Sequence, residues 1–226
     1  MSADPTAVLD PAGREALETV LELLAAERAS VSSVVDGRAW KVHVADSLTG
    51  LDVPELLRAK RIADVGAGAG FPGLALAVAI PTAQVDLIES TGRKCDFMNR
   101  AIATAKIPNA TVLCTRAEDL ASTDARDSYD IVTARAVGRL STLAELASPL
   151  LKPNAVLIAW KGKRDPDEEQ QLANAAAELA MHPDSILNVG DRAGSRHRHL
   201  HVIRKLGPTP SSLPRRAGMA KKRPKG

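Results

Sequence analysis

Six residues between positions 64 and 89 have the types and spacing to hold a nucleotide-like ligand. Asp64, Gly66, Gly68, Gly70 and Gly73 fall within DVGAGAGFPG, and Glu89 closes DLIE. Glycines at this density let a ligand approach the bare backbone. Read from Gly68, GAGFPG satisfies GxGxxG, and Glu89 stands where an acid accepts hydrogen bonds from ribose hydroxyls. A dinucleotide fits that pattern, but Asp64 argues against it. Two residues before the first glycine, at the expected mouth of the loop, its carboxylate would repel a pyrophosphate held on a helix N-terminus and favour a cation. S-adenosylmethionine has a sulfonium and an amino group and no phosphate. It is the ligand this arrangement selects, with Gly66, Gly68 and Gly70 beneath its methionine and ribose.

Two later positions suit the same ligand. In TRAEDL, Ala117 and Glu118 are placed to meet an adenine edge, the carboxylate accepting the exocyclic amine. TARAVG, residues 133 to 138, has neither the Asn or Asp followed by two prolines common in methyltransferases acting on exocyclic amines nor the Pro-Cys of those making 5-methylcytosine. An acceptor atom that already has a free lone pair and no proton needs no general base, and guanine N7 is such an atom. Alignment then supplies most of the rate, so no catalytic residue is expected beyond positioning groups, with Arg135 contacting either the cofactor or guanine O6. N7 lies on the edge facing the major groove, which is deep and narrow in A-form RNA, so the target base must sit in a loop or be extruded. Lys161, Lys163 and Arg164 in WKGKR and Arg196 and Arg198 in GSRHRH are the phosphate-contact candidates. His197, His199 and His201 alternate without a Cys or carboxylate to complete a metal site, so no metal is expected.

The elements that must position these groups are legible in the hydrophobic rhythm. Leu17, Val20, Leu21, Leu24 and Ala25 share one face of a helix over 13–29, and short helices follow over 38–59. After residue 60, aliphatic runs at 61–65, 84–88, 110–114, 129–134, 155–160, 185–189 and 199–204 alternate with helical segments at 71–79, 92–106, 138–148 and 166–180. Such alternation predicts a parallel sheet covered on both faces. The loop 190–198 is too short for a helix, so the last strand must run antiparallel. The fold class is therefore α/β, a seven-stranded mostly parallel Rossmann-like sheet. Its expected organisation is a helical N-terminal extension over 1–59, the sheet domain over 60–206 and a tail over 207–226.

Charge sharpens this reading. The chain has net charge +3, yet from residue 191 onward it has 11 Lys or Arg against Asp191 alone. PSSLPRRAGMAKKRPKG cannot bury a core and is expected to be a mobile, polyanion-binding tail. No apolar stretch is long enough for a membrane span, and MSADPTAVLDPAGRE lacks a signal-peptide pattern, so the expectation is a cytoplasmic monomer with two unpaired thiols, Cys95 and Cys114. Two other readings of the same residues are a nicotinamide dehydrogenase, which lacks a hydride-transfer constellation here, and a non-catalytic RNA-binding module, which leaves the acid–glycine–acid spacing unexplained.

Taken together, these motifs resemble the 16S rRNA (guanine-N7) methyltransferase G family, also called glucose-inhibited division protein B, over nearly the whole chain. HVADSL (43–48), DVGAGAGFPG (64–73), RAED (116–119), TARA (133–136), WKG (160–162) and RHLHVIRK (198–205) follow in the family's order, and PRRAGMAKKRP is similar to its basic C-terminus. The resemblance implies a class I methyltransferase fold with a helical N-terminal extension and methyl transfer from S-adenosylmethionine to guanine N7 in the 530 loop of 16S rRNA, near position 527. The substrate would be 16S rRNA or the small ribosomal subunit. Carried over by motif, the cofactor contacts would be Gly66, Phe71, Ala117, Glu118 and Arg135.

Overall fold

Continuous aliphatic runs need cover on both faces, and the computed structural model, which describes residues 4–27, 34, 36–190 and 197–226, provides it. The seven strands are β1 (Arg61–Val65), β2 (Gln84–Glu89), β3 (Ala110–Cys114), β4 (Tyr129–Arg135), β5 (Leu151–Lys161), β6 (Met181–Asn188) and β7 (His199–Lys205). They form one sheet in the order β3-β2-β1-β4-β5-β7-β6. Pairing is parallel from β3 to β5, and β7 runs antiparallel to both β5 and β6, as expected for the last strand. Chain progression reverses between β1 and β4, which makes their carboxyl ends the topological switch point where open α/β sheets bind ligands.

The helices divide between the two faces. One face carries α1 (Pro11–Ala26), the short α2 (Asp46–Leu48) and α3 (Pro54–Arg58), then α4 (Gly73–Ala79) and α5 (Gly92–Ala105); the other carries α6 (Ala117–Leu120), α7 (Leu140–Ala147) and α8 (Pro166–Ala175). Asp10 starts α1 by accepting from Gly13 N at 2.7 Å, with Pro11 in the first turn where its missing N–H costs nothing. Leu17, Val20 and Leu24 are then buried in the same core as Ile62, Leu74 and Phe97, so the N-terminal helices share the sheet's hydrophobic core. Each of these side chains contributes about 1.5–3 kcal/mol of burial. Ala25, expected on that face, is exposed.

β1 and β3 have the expected bounds; β5 and β6 begin earlier than their aliphatic runs do. Each strand opens on a buried apolar residue, Leu151 or Met181, but the residues that follow, Lys152, Pro153 and Asn154 of β5 and His182, Pro183 and Asp184 of β6, are polar or imino and exposed. β6 lies at the sheet edge, where Pro and charge are tolerated, so apolar pattern does not mark its start.

The expected mobile tail is corrected. Residues 207–226 pack against the α6–α7–α8 face and end in a helical turn, α9 (Met219–Lys222). Leu213 is 3% exposed and joins the core of that face, while Ala220 is 2% exposed. Two buried apolar anchors and several side-chain hydrogen bonds hold a segment whose composition alone could not form a core. Among the described residues, no helix is long and apolar enough to cross a membrane.

Candidate active site

The loop between β1 and α4 is built by glycines folding over Asp64. Gly66 N and Ala67 N both donate to Ile88 O, at 2.8 and 3.1 Å, which ties the start of the loop to β2. Gly66 has φ +69°, and a Cβ there would stand 2.6 Å from Val137 Cγ2, so only glycine brings the loop this close to the turn after β4. That turn is itself bent by Ala136 at φ 59°, a left-handed conformation costing a non-glycine residue roughly 1–2 kcal/mol.

Asp64 does not occupy the place expected of it. It is 1% exposed and lies beneath the loop: Oδ1 accepts from Thr133 Oγ1 at 2.8 Å and Oδ2 from Gly73 N at 2.9 Å. Burial pushes its carboxyl up to about 6, against the two hydrogen bonds and the charge of Arg135, which favour ionisation. A Cβ on residue 73 would come within 2.9 Å of Asp64 Oδ2, which explains the glycine of Phe-Pro-Gly. The carboxylate is thus buried and engaged by the chain's own donors. It fills the first N–H of α4, the position a dinucleotide would need for its pyrophosphate, and so disfavours phosphate by occupying the donor.

Glu89, at the end of β2, is 8% exposed and held by backbone donors. Its Oε1 accepts from Ser90 N and Thr91 N at 2.8 and 2.9 Å, and Oε2 accepts from Gly68 N at 3.1 Å. Three bonds fix the carboxylate without exhausting the roughly four acceptor sites of its two oxygens. It borders a cavity of about 110 Å³ whose walls include Gly66, Ala117, Glu118, Arg116 and Val137. That space suits one ring system, and beside it Gly66, Gly68 and Ala69 of the glycine loop are half-buried while Gly70 is packed against Leu74. Four expected residues, Gly66, Glu89, Ala117 and Glu118, thus come together. Ser90, Thr115, Arg116 and Val137 also line the cavity. Only their adjacency in sequence to Glu89, Ala117 and Arg135 could have marked them. One oxygen of Glu118 is already engaged: Oε1 accepts from Gly218 N at 2.7 Å.

Phe71 and Arg135 both pack against the segment 40–48. Phe71 is 4% exposed and stacks on His43 with ring centroids 5.1 Å apart. Arg135 donates to Asp46 Oδ2 at 2.9 Å and Val42 O at 3.0 Å, on a side chain only 12% exposed. Arg198 approaches the other oxygen of Asp46, its Nε lying 2.8 Å from Oδ1 but off the hydrogen-bonding direction, so this is a charge contact only. Asp46 is 1% exposed and also offers its carbonyl to Trp160 Nε1 at 2.9 Å. The segment 40–48 is thereby fastened to the carboxyl ends of β4 and β5, directly beside the glycine loop. HVADSL was notable in sequence only through the family resemblance; its structural role is this buried carboxylate between two guanidiniums.

The expected phosphate contacts divide in the same way. Lys161 donates to Glu168 Oε1 at 2.7 Å and Gly138 O at 3.0 Å, and Arg164 grips Glu169 with two bonds of 2.8 and 2.5 Å. With Arg198 held at Asp46, three of the five candidates have carboxylate partners. Lys163 is exposed, and Arg196 lies outside the described residues.

Comparison with known proteins agrees with this geometry. The family model for rRNA small subunit methyltransferase G matches residues 20–200. A Bacillus subtilis protein named ribosomal RNA small subunit methyltransferase G is 32% identical over 96% of this chain and 92% of its own length. A protein of the same name from Desulfitobacterium hafniense is 36% identical over 80% of this chain and 75% of its own length. Among solved structures, a SAM-dependent methyltransferase from Aquifex aeolicus aligns with TM-score 0.55 at 18% identity, over 76% of this chain and 94% of that one. The Methanococcus jannaschii fibrillarin pre-rRNA processing protein aligns with TM-score 0.54 at 15% identity, over 68% of this chain and 69% of that one. At these identities the solved structures bear on the fold alone, and the expected class I methyltransferase sheet is the one found. The match across most of the chain and the order of its motifs establish that this protein belongs to the rRNA small subunit methyltransferase G family.

Proposed function

We propose that this chain transfers the methyl group of S-adenosylmethionine to N7 of a guanosine in the 530 loop of 16S rRNA. The observation that carries the choice of atom is the end of β4. There Ala134, Arg135, Ala136 and Val137 supply no proton acceptor, and Arg135 is held by Asp46. An exocyclic amine or a carbon acceptor must lose a proton during transfer, whereas N7 does not. The N7 lone pair forms the new N–C bond as the C–S bond breaks; sulfur leaves as a neutral thioether and the positive charge passes to the purine.

The residues present fit the cofactor. Glu89 is anchored by three N–H donors and retains acceptor capacity for ribose hydroxyls, Gly66 and Gly68 present backbone without side chains, and Ala117 and Glu118 border the cavity suited to the adenine. The cofactor supplies an activated methyl group on a sulfonium. The chain supplies position: the loop tied to Ile88 O, the turn at Ala136 and the Asp46 cluster fix the walls around the line along which sulfur, carbon and nitrogen must align. Lys163, exposed beyond β5 and outside the carboxylate pairs that hold Lys161, Arg164 and Arg198, is our candidate for a contact with the phosphate backbone.

Chemical cleavage at N7-methylguanosine in 16S rRNA, compared between cells with and without this gene product, tests the reading. A modification at the 530 loop that disappears with the protein is the expected result; an unchanged cleavage pattern refutes it.

A further inference from the structure

The C-terminal segment reaches the cofactor cavity. Gly218 N donates to Glu118 Oε1 at 2.7 Å across 100 residues of sequence, and Glu118 lines that cavity. The segment is seated on both sides of this contact. Ahead of it, Leu213 is buried with its carbonyl accepting from Arg126 Nη1 at 2.9 Å. Arg215 forks onto Glu145, 3% exposed, with two bonds of 2.5 and 2.6 Å. Behind it, Ala220 O accepts from Thr142 Oγ1 at 3.2 Å. A bidentate pair with a nearly buried carboxylate is among the stronger anchors a surface segment can have.

The same segment exposes cations. Arg216, Lys221, Lys222 and Arg223 are exposed and have no carboxylate partner among the described residues, and Arg116 is exposed at the cavity rim. These cations are neighbours in sequence; docking through Gly218 and Glu118 brings them to the surface that carries Arg116, two residues from Glu118, and the added like charge costs repulsion at low salt. A polyanion lying across them removes that cost in the docked state and releases counterions.

We propose that residues 207–226 are a docked strap: Gly218 N–H holds Glu118 in place for the cofactor, while Arg216, Lys221, Lys222 and Arg223 receive backbone phosphates of the RNA substrate. Because both ligands favour the docked strap, each strengthens binding of the other by the same factor. This inference rests on the methyl-donor reading above and adds a regulation to it.

The test is calorimetry of the full chain with S-adenosylhomocysteine, with and without a mixed-sequence single-stranded RNA of about 20 nucleotides. RNA is expected to tighten S-adenosylhomocysteine binding severalfold at low salt and to have no effect at high salt. Gly218→Pro, which removes the donor and cannot adopt the φ of +82° found at this position, is expected to undock the segment here and weaken S-adenosylhomocysteine about tenfold, the order of a lost hydrogen bond to a partly solvated carboxylate. A chain ending at Pro214 is expected to match it, which guards against a local folding fault in the substituted chain. The triple variant Lys221→Ala, Lys222→Ala, Arg223→Ala is expected to lose the RNA response, with the salt slope of RNA binding reduced by about 2. Wild-type binding by both the Gly218→Pro and truncated chains overturns the strap while leaving the methyl-donor reading intact. A wild-type chain that binds no S-adenosylhomocysteine overturns the methyl-donor reading, and the coupling with it.

Discussion

Replacing Asp64 by Asn separates the charge of this carboxylate from its shape. In the folded chain the carboxyl is desolvated and pushed up from 3.8 to about 6. A tenfold change in proton affinity is worth about 1.4 kcal/mol, so holding Asp64 ionised inside the fold costs roughly 3 kcal/mol at neutral pH. The sign is the reverse of the usual carboxylate case. Between about pH 4 and pH 6 the unfolded chain binds fewer protons at this site than the folded chain, so the Asp64 contribution to stability declines as pH rises through that window. The amide of the Asp64→Asn chain has no such titration. Its oxygen accepts from one of the two donors, Gly73 N or Thr133 Oγ1, and its N–H₂ faces the other. Thr133 can rotate its hydroxyl to accept, while Gly73 N–H can only donate. With the amide oxygen on Gly73, the loop survives and most of the hydrogen bonding is kept. Urea unfolding of both chains at pH 4 and pH 7 measures the effect. Asp64→Asn is expected to be the less stable chain at pH 4 and to gain about 2 kcal/mol relative to wild type by pH 7. A stability difference that does not change over this range would refute a buried, charge-penalised carboxylate beneath the loop.

Other residues give independent checks. Glu89→Ala removes the acceptor of three N–H groups and is expected to weaken S-adenosylhomocysteine at least tenfold by calorimetry, because Gly68, Ser90 and Thr91 lose their common anchor. Asp46→Ala leaves Arg135 and Arg198 facing each other without a carboxylate and is expected to cost about 3–5 kcal/mol in thermal or urea unfolding; a loss below about 1 kcal/mol would mean that water already shields the cluster. Lys163→Ala is expected to reduce the salt slope of RNA binding by about 0.7 and leave S-adenosylhomocysteine binding unchanged. An unaltered slope would remove Lys163 from the RNA surface.

Much of the fold was readable because it rests on local pattern. Aliphatic runs of strand length separated by helical segments determine a parallel sheet, and the short loop before His199 determines the antiparallel last strand, since a parallel return needs a crossover. The glycine loop and Glu89 were likewise legible, as their spacing reflects one strand–loop–helix–strand unit in which neighbours in space are near neighbours in sequence. Motif order alone carried the family resemblance, because it depends on residue type and not on where a side chain points.

Direction and partnership were decided only by the tertiary structure. Whether Asp64 faces outward to a cation or inward to Gly73 and Thr133 depends on which side of the loop the sheet buries. Arg135 and Arg198 look like free cations in sequence, yet both meet Asp46, which lies 89 and 152 residues away from them. Composition predicts a mobile tail, but Leu213, Arg215 and Gly218 find Arg126, Glu145 and Glu118 on a surface assembled from separate segments of the chain. A charge or a donor seeks the partner that lowers its solvation cost, and in a folded chain that partner is set by distance in space. Sequence specifies which groups must be satisfied; the packed sheet decides which of them satisfy one another and which remain for a ligand.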